Sequence, residues 1–245
     1  MRSLNADDII LICERGHGQP AAERAITVLA AAFPEQPAEE LRALSLGQRN
    51  ALLLGVRERL FGPDLTCFSA CPNCHERLEF RFSAAALQSS FTPQTKEMQF
   101  EIEAEGYTLR FRPLNSRDLQ AAAGCESLSA TRQLLVARAL IEARREGEAV
   151  DVWKLPEEVI SRLVAGLAEC DPQAEMLVQT ECPVCQARWQ TPLDIAQFLY
   201  TEINALAWRL LREVHTLARA YAWREADILA MSARRRQYYL ELLGQ

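Results

Sequence analysis

The sequence predicts an α+β chain, mainly helical, whose β core comes from two cysteine-bearing repeats. An inserted β-hairpin with helices separates the repeats, and a helical arm ends the chain. Three observations predict this. Cys71-Pro72-Asn73-Cys74 and Cys182-Pro183-Val184-Cys185 are turns of one form, 111 residues apart. Residues 98–112 alternate apolar and polar side chains as a hairpin does. Elsewhere most apolar residues recur at helical spacing.

The 245 residues allow one large domain or two small ones with a proper core. The net charge of −6 disfavours nucleic acid as the main partner. No apolar run reaches the roughly 20 residues needed to span a bilayer. Residues Met1 to Ile12 carry acidic groups where a signal peptide would be basic, so a soluble protein made in the cytosol is expected. Five segments are expected: 1–62, 63–90, 91–173, 174–202 and 203–245.

Residues 1–62 read as a helical layer. Asn5 caps a first helix, with Asp8 favourable near its N-terminus, and Gly16 and Gly18 stop it. Pro20 starts a second, carrying Ile26, Leu29 and Phe33 on one face until Pro34. Ser45 and Gln48 form a capping-box pattern ahead of Leu52, Leu53, Val56 and Leu60, and Gly62-Pro63 closes that helix.

Residues 63–90 hold the first cysteine repeat and 174–202 the second. A shift of 111 places Arg77 on Arg188, Leu78 on Trp189, Phe82 on Leu193 and Leu87 on Phe198. It also places Ser83 on Asp194, both suited to capping a helix. Each repeat reads as strand, knuckle, strand and capped helix. Two knuckles supply the four soft thiolates that a structural, tetrahedral Zn²⁺ takes, so Cys71, Cys74, Cys182 and Cys185 form a candidate four-cysteine site and the β core is zinc-ribbon-like. Such a closed site is a staple rather than a reagent. Its net charge of about −2 can be offset in part by Arg77 and Arg188, and Cys67 is the substitute ligand.

Three alternatives stand beside zinc. Cys71 to His75 spells a c-type haem attachment pattern, but Gln186 takes the histidine's place in the second repeat. A redox pair opens a helix, whereas both knuckles here run into strand-like segments. The third is four buried, unliganded cysteines. In a reducing compartment the paired cysteines point to metal ligation rather than disulfides. Cys13, Cys125 and Cys170 stand singly among apolar residues and read as small core residues.

Residues 91–173 are an insertion. Met98, Phe100 and Ile102 share a face with Tyr107, Leu109 and Phe111 across a Glu105-Gly106 turn, which sets Glu101 opposite Arg110 and Phe100 opposite Phe111. Asn115 or Ser116 caps a short helix, Leu128 to Ala143 and Pro156 to Leu167 read as helices, and Glu142 to Glu148 as a solvated helix end or loop.

Residues 203–245 form the arm. Ile203, Ala207, Leu210, Val214, Leu217 and Tyr221 make a heptad seam that serves either a partner or the chain's own core. A short helix Glu225 to Leu229 follows, and Ser232 caps a final one. The segment holds seven arginines against four acidic residues. Arg234, Arg235 and Arg236 fall in the first turn of the last helix, where its dipole disfavours cations. They are either a solvated basic face or a docking surface for an acidic protein.

The helical start, the C-P-N-C and C-P-V-C knuckles, the segment Pro113 to Leu119, and the tail from Arg212 to Ala218 on through Trp223 to Leu243 together resemble a phage baseplate protein family. That family is typified by a hub component of T-even phages. The resemblance implies a structural part of a contractile tail baseplate, built in the bacterial cytoplasm, that binds the hub and neighbouring tail proteins. It takes neither a small-molecule substrate nor a membrane. By the same resemblance the tail helix around Arg212, His215 and Tyr221 is a family position; with Trp223 and the triplet Arg234, Arg235 and Arg236 of the Arg-rich, aromatic tail, these are the candidate partner contacts. An assembly chaperone absent from finished particles and a zinc-ribbon nucleic-acid binder are the rival readings. No nucleophile pattern, phosphate loop or H-E-x-x-H motif surrounds His17, His75 or His215, so no enzyme is expected.

Overall fold

The computed structural model describes residues 1–87 and 99–244. Its N-terminal layer follows the local signals. Helix α1 (Ala6–Gly16) carries the reciprocal Asn5/Asp8 capping box, α2 (Ala21–Ala32) follows Pro20, and α4 (Leu46–Phe61) carries the Ser45/Gln48 box. A helix absent from the sequence reading, α3 (Ala38–Ala43), follows Pro37 and buries Leu41. Gly62, at φ 87°, adopts backbone that suits glycine and releases the chain into the first repeat.

That repeat is β1 (Asp64–Ala70), the knuckle, β2 (Arg77–Ser83) and the short α5 (Ala84–Leu87). In the insertion, β3 (Phe100–Ala104) pairs with β4 (Tyr107–Phe111) in the expected register, Phe100 opposite Phe111 and Glu101 opposite Arg110. Met98 lies outside the described residues. The turn residues Glu105 and Gly106 both have positive φ, as a tight hairpin requires.

The insertion then departs from expectation. Asn115 caps α6 (Ser116–Ala122), but α7 (Leu128–Ala139) ends four residues short of Ala143 and runs straight into β5 (Leu140–Arg145). The stretch read as a solvated loop is instead β5, a Glu146-Gly147 turn and β6 (Glu148–Ala149). The free edge of β4 supplies the reason, since it offers β5 a ladder whatever the local composition favours, and the sheet runs β3-β4-β5-β6. Arg110 accordingly makes its ion pair with Glu142 on β5 at 3.3 Å.

After a 3-10 turn (Val152–Lys154) and α8 (Glu157–Cys170) comes the second repeat, β7 (Leu177–Glu181) and β8 (Arg188–Pro192). It feeds α9 (Ile195–Tyr221), 27 residues capped by Asp194 and about 40 Å long. Then α10 (Glu225–Leu229) and α11 (Ala233–Leu243), the latter capped by Ser232, end the chain.

The knuckle hairpins are two separate two-stranded sheets. Two strands bury too little apolar surface to stand alone. The main core is helical, built by α1, α2, α4 and α9, and the repeats reach it through Leu65, Ala84 and Met176. A second core forms under the insertion sheet around Leu109, Phe111, Val159 and Leu163. The seam of α9 faces the chain's own interior: Ile203, Ala207 and Leu210 enter the main core, and Val214 and Leu217 meet Ile228 of α10.

A buried polar frame joins insertion and helices. The Asp118 side chain is wholly buried and takes Arg112 at 2.7 and 2.9 Å, Arg138 at 2.7 Å and the Asn115 N–H. Burial alone would raise this carboxyl, but Arg112, the Asn115 N–H and Arg138 outweigh it and hold the group below its usual value. On α4, the Gly47 N–H donates to Asp171 at 2.9 Å. Any Cβ at Gly47 would run into the Asp171 carboxylate.

Two outcomes follow for denaturant unfolding. Asp118→Asn leaves two arginines facing a neutral group and should cost about 3–5 kcal/mol. Because the folded-state group titrates low, the Asp118 contribution is complete above its unfolded value of 3.8 and fades as pH falls further. The variant should therefore differ from the parent at neutral pH and converge with it in strong acid. Gly47→Ala should destabilise by about 1–3 kcal/mol through overpacking against Asp171.

Candidate metal centre

Helix α4 roots both repeats. At its C-terminal end Arg57 donates to the Gly62 carbonyl at 2.8 Å and pairs with Glu202 of α9, fixing where β1 begins. At its N-terminal end Asn50 donates to the carbonyls of Gln173 and Ala174 at 3.0 and 3.2 Å, fixing the approach to β7. Arg49 is buried beside them. Desolvation lowers its guanidinium from the ordinary value, while Asp194, the α9 cap, and Asp171 pull it back up.

The two knuckles then close with the same pair of backbone hydrogen bonds. Cys71 N–H meets the Glu76 carbonyl at 2.9 Å, and Cys182 N–H meets that of Ala187 at 2.9 Å. His75 N–H reaches the Cys71 carbonyl at 3.0 Å, and Gln186 N–H that of Cys182 at 2.8 Å. His75 and Gln186, at matching positions, both take φ of 60°. The His75 backbone thus takes the same place in its turn as that of Gln186. Phe80 of the first hairpin meets Trp189 of the second edge-on, with ring centroids 5.8 Å apart.

This geometry brings the four predicted cysteines together. Cys71 and Cys185 sulfurs are 3.5 Å apart, Cys74 and Cys182 sulfurs 3.6 Å, and all four lie within 4.8 Å of one another. A disulfide needs about 2.05 Å, so these are thiols rather than bridges. A tetrahedron with metal–sulfur bonds of about 2.3 Å has edges of about 3.8 Å. The donor set and its spacing therefore fit a single tetrahedral thiolate metal. Cys71 and Cys182 are buried, and Cys74 and Cys185 lie toward solvent.

Hydrogen-bond donors converge on the sulfurs. The Asn73 N–H lies 3.4 Å from Cys71 Sγ. The Asn73 side chain and the Ala187 N–H stabilise the Cys185 thiolate and lower that thiol to about 6. At Cys74 the Glu76 N–H acts the same way, but desolvation and hydrogen bonding with Cys185, Cys182 and Cys71 outweigh it and push the thiol up to about 12. Arg188 pairs with Glu181 across its own hairpin at 2.8 Å.

The remaining cysteines stand apart. Cys67 lies on β1 opposite Phe80, outside the cluster, and burial raises its thiol. Cys13 and Cys170 are half-buried at the edges of the two cores, and desolvation raises both, Cys170 to about 11. Cys125 is also half-buried.

On the arm, Arg212 and His215 are exposed on α9. Tyr221 and Trp223 stack with centroids 4.5 Å apart, and Tyr239 packs edge-on against both. The arginine triplet divides. Arg234 donates to the Tyr238 hydroxyl at 2.6 Å, and Arg235 stands over the Tyr239 ring; both are exposed. Arg236 is buried, bonded to Glu213 at 2.9 Å and to the Met231 carbonyl at 2.7 Å, so it ties α11 to α9. That partnership resolves the conflict with the helix dipole. Sequence reading missed Glu213, because nothing local pairs it with a residue 23 positions later. It also missed Asn73, although asparagine inside a knuckle is a recognisable donor.

The profile of a family described as "T4 bacteriophage base plate protein" matches residues 5–200. No curated protein and no solved structure matches the chain. The matched span takes in both knuckles and ends inside α9, before the arm proper.

Purified protein should carry one zinc per chain by elemental analysis, and a Cys182→Ser/Cys185→Ser variant none. The variant should lose about 4 kcal/mol or more, on the order of 10 °C in melting midpoint. Because the ligands must be deprotonated, bound zinc should be released as pH is lowered.

Proposed function

The chain belongs to the T4 bacteriophage base plate protein family, and on that premise we propose that it is a hub-associated structural component of a contractile tail baseplate, stapled by one zinc on four cysteines. The family match over both knuckles carries this reading. In it, Cys71, Cys74, Cys182 and Cys185 hold the metal and fix the two hairpins against α4 as one rigid body. The metal supplies charge neutralisation and geometry, not reactivity.

The arm is the docking element. Arg234 and Arg235, exposed beside Tyr238, meet an acidic surface of the hub or of a neighbouring tail protein, with Tyr221 and Trp223 holding the arm's own fold beneath them. Arg236 acts through Glu213 as an internal strut. The protein is made in the host cytoplasm and ends in the virion baseplate. No described helix is long and apolar enough to cross a membrane.

Quantitative mass spectrometry of purified contractile particles against their lysate tests the role. Retention at a fixed ratio to a hub subunit is expected. Presence in the lysate with absence from particles would make the protein an assembly chaperone instead. Within that assay, Arg234→Gln/Arg235→Gln should reduce incorporation with an unchanged melting curve. Arg236→Gln should lower arm stability itself, by about 3 kcal/mol, because it leaves Glu213 without its buried partner.

A further inference from the structure

The seam of α9 is buried, but its opposite face is not. Trp208, Arg212, His215 and Arg219 follow one another at steps of four, three and four, which sets them in one stripe. The stripe lies about 150° around the helix from the buried residues Ile203 to Tyr221. Trp208 is 59 % exposed, and Arg212, His215 and Arg219 are exposed with it.

The charge on this face is uncompensated. Solvated helices usually interleave signs so that neighbours one turn apart pair. Between residues 203 and 221 there is one carboxylate, Glu213, and it is engaged by Arg236 from α11 and by Arg209 on the flank. Among the described residues no ion pair reaches Arg212 or Arg219. The outer face therefore carries positive charge around one large exposed aromatic ring. Tryptophan and arginine are the side chains that dominate the energetics of protein interfaces.

We infer that the outer face of α9, centred on Trp208, is a docking surface for an acidic amphipathic helix of another protein, which lies along α9 and seats Trp208 between its apolar side chains. Charge complementarity selects this occupant. Carboxylates at matching four- and three-residue steps meet Arg212 and Arg219, while an apolar pair between them covers the indole. The inference rests on the reading of the arm as a docking element but uses a different face from Arg234 and Arg235. Encounter is steered by charge and is therefore salt-sensitive.

The test uses the full chain and a labelled helical peptide with glutamates at i, i+4, i+7 and i+11 flanking leucines, followed by fluorescence anisotropy. The wild type should bind, and more weakly at high salt. Trp208→Ala should bind about tenfold more weakly. Arg212→Glu/Arg219→Glu should not bind, with helical circular dichroism unchanged in each variant. Equal binding by all variants, or none by the wild type, would overturn the inference. So would tighter binding of a short DNA duplex that the same substitutions abolish, or a wild-type dimer by sedimentation that Trp208→Ala dissolves. Particle incorporation is measured separately, so loss of peptide binding with normal incorporation condemns this face and leaves the baseplate reading standing.

Discussion

Four sulfurs from hairpins 111 residues apart meet within 4.8 Å, and the rest of the molecule is arranged so that they can. Among the described residues no strand ladder joins the two hairpins. Between them stand the sulfur cluster, the Phe80–Trp189 edge contact and the shared anchorage on α4. Four thiols packed this closely cannot all ionise without a cation, as the opposed behaviour of Cys74 and Cys185 illustrates. A tetrahedral metal bound there would resolve that conflict and tie two marginal hairpins into one body.

Helix α4 makes the meeting geometrically possible. Its two ends hold the start of one repeat and the approach to the other, through Arg57 and Asn50. Arg57 also pairs with Glu202, so the post that sets the sulfurs also sets α9. That helix continues past the body, and Arg236 with Glu213 folds α11 back onto it. The path from the sulfur cluster to the arm thus runs through directional ion pairs, so the arm stands on a fixed base rather than on a tether.

Much of this was legible because it is local. The caps at Asn5, Ser45, Asn115, Asp194 and Ser232 act within one turn and were readable directly. The duplicated knuckles repeat even their backbone bonds, so the four cysteines that meet could be named from spacing alone. What failed was set at a distance. Residues 140–149 are charged and carry no strand pattern of their own, and β4 makes a strand of them. Yet Glu146-Gly147 is the same dipeptide as Glu105-Gly106, with the same positive φ pair, and was a signal that went unused. The arginine triplet looked uniform in sequence, and only the position of α9 decides that Arg236 turns inward while Arg234 and Arg235 do not.

Everything beyond the fold depends on whether one metal closes the two repeats. Zinc K-edge X-ray absorption of the purified full chain measures this directly. The expected spectrum shows a single shell of four sulfurs at about 2.3 Å with no nitrogen or oxygen neighbours. A shell containing nitrogen or oxygen, or stable folded protein without zinc, would contradict a metal-closed pair of repeats.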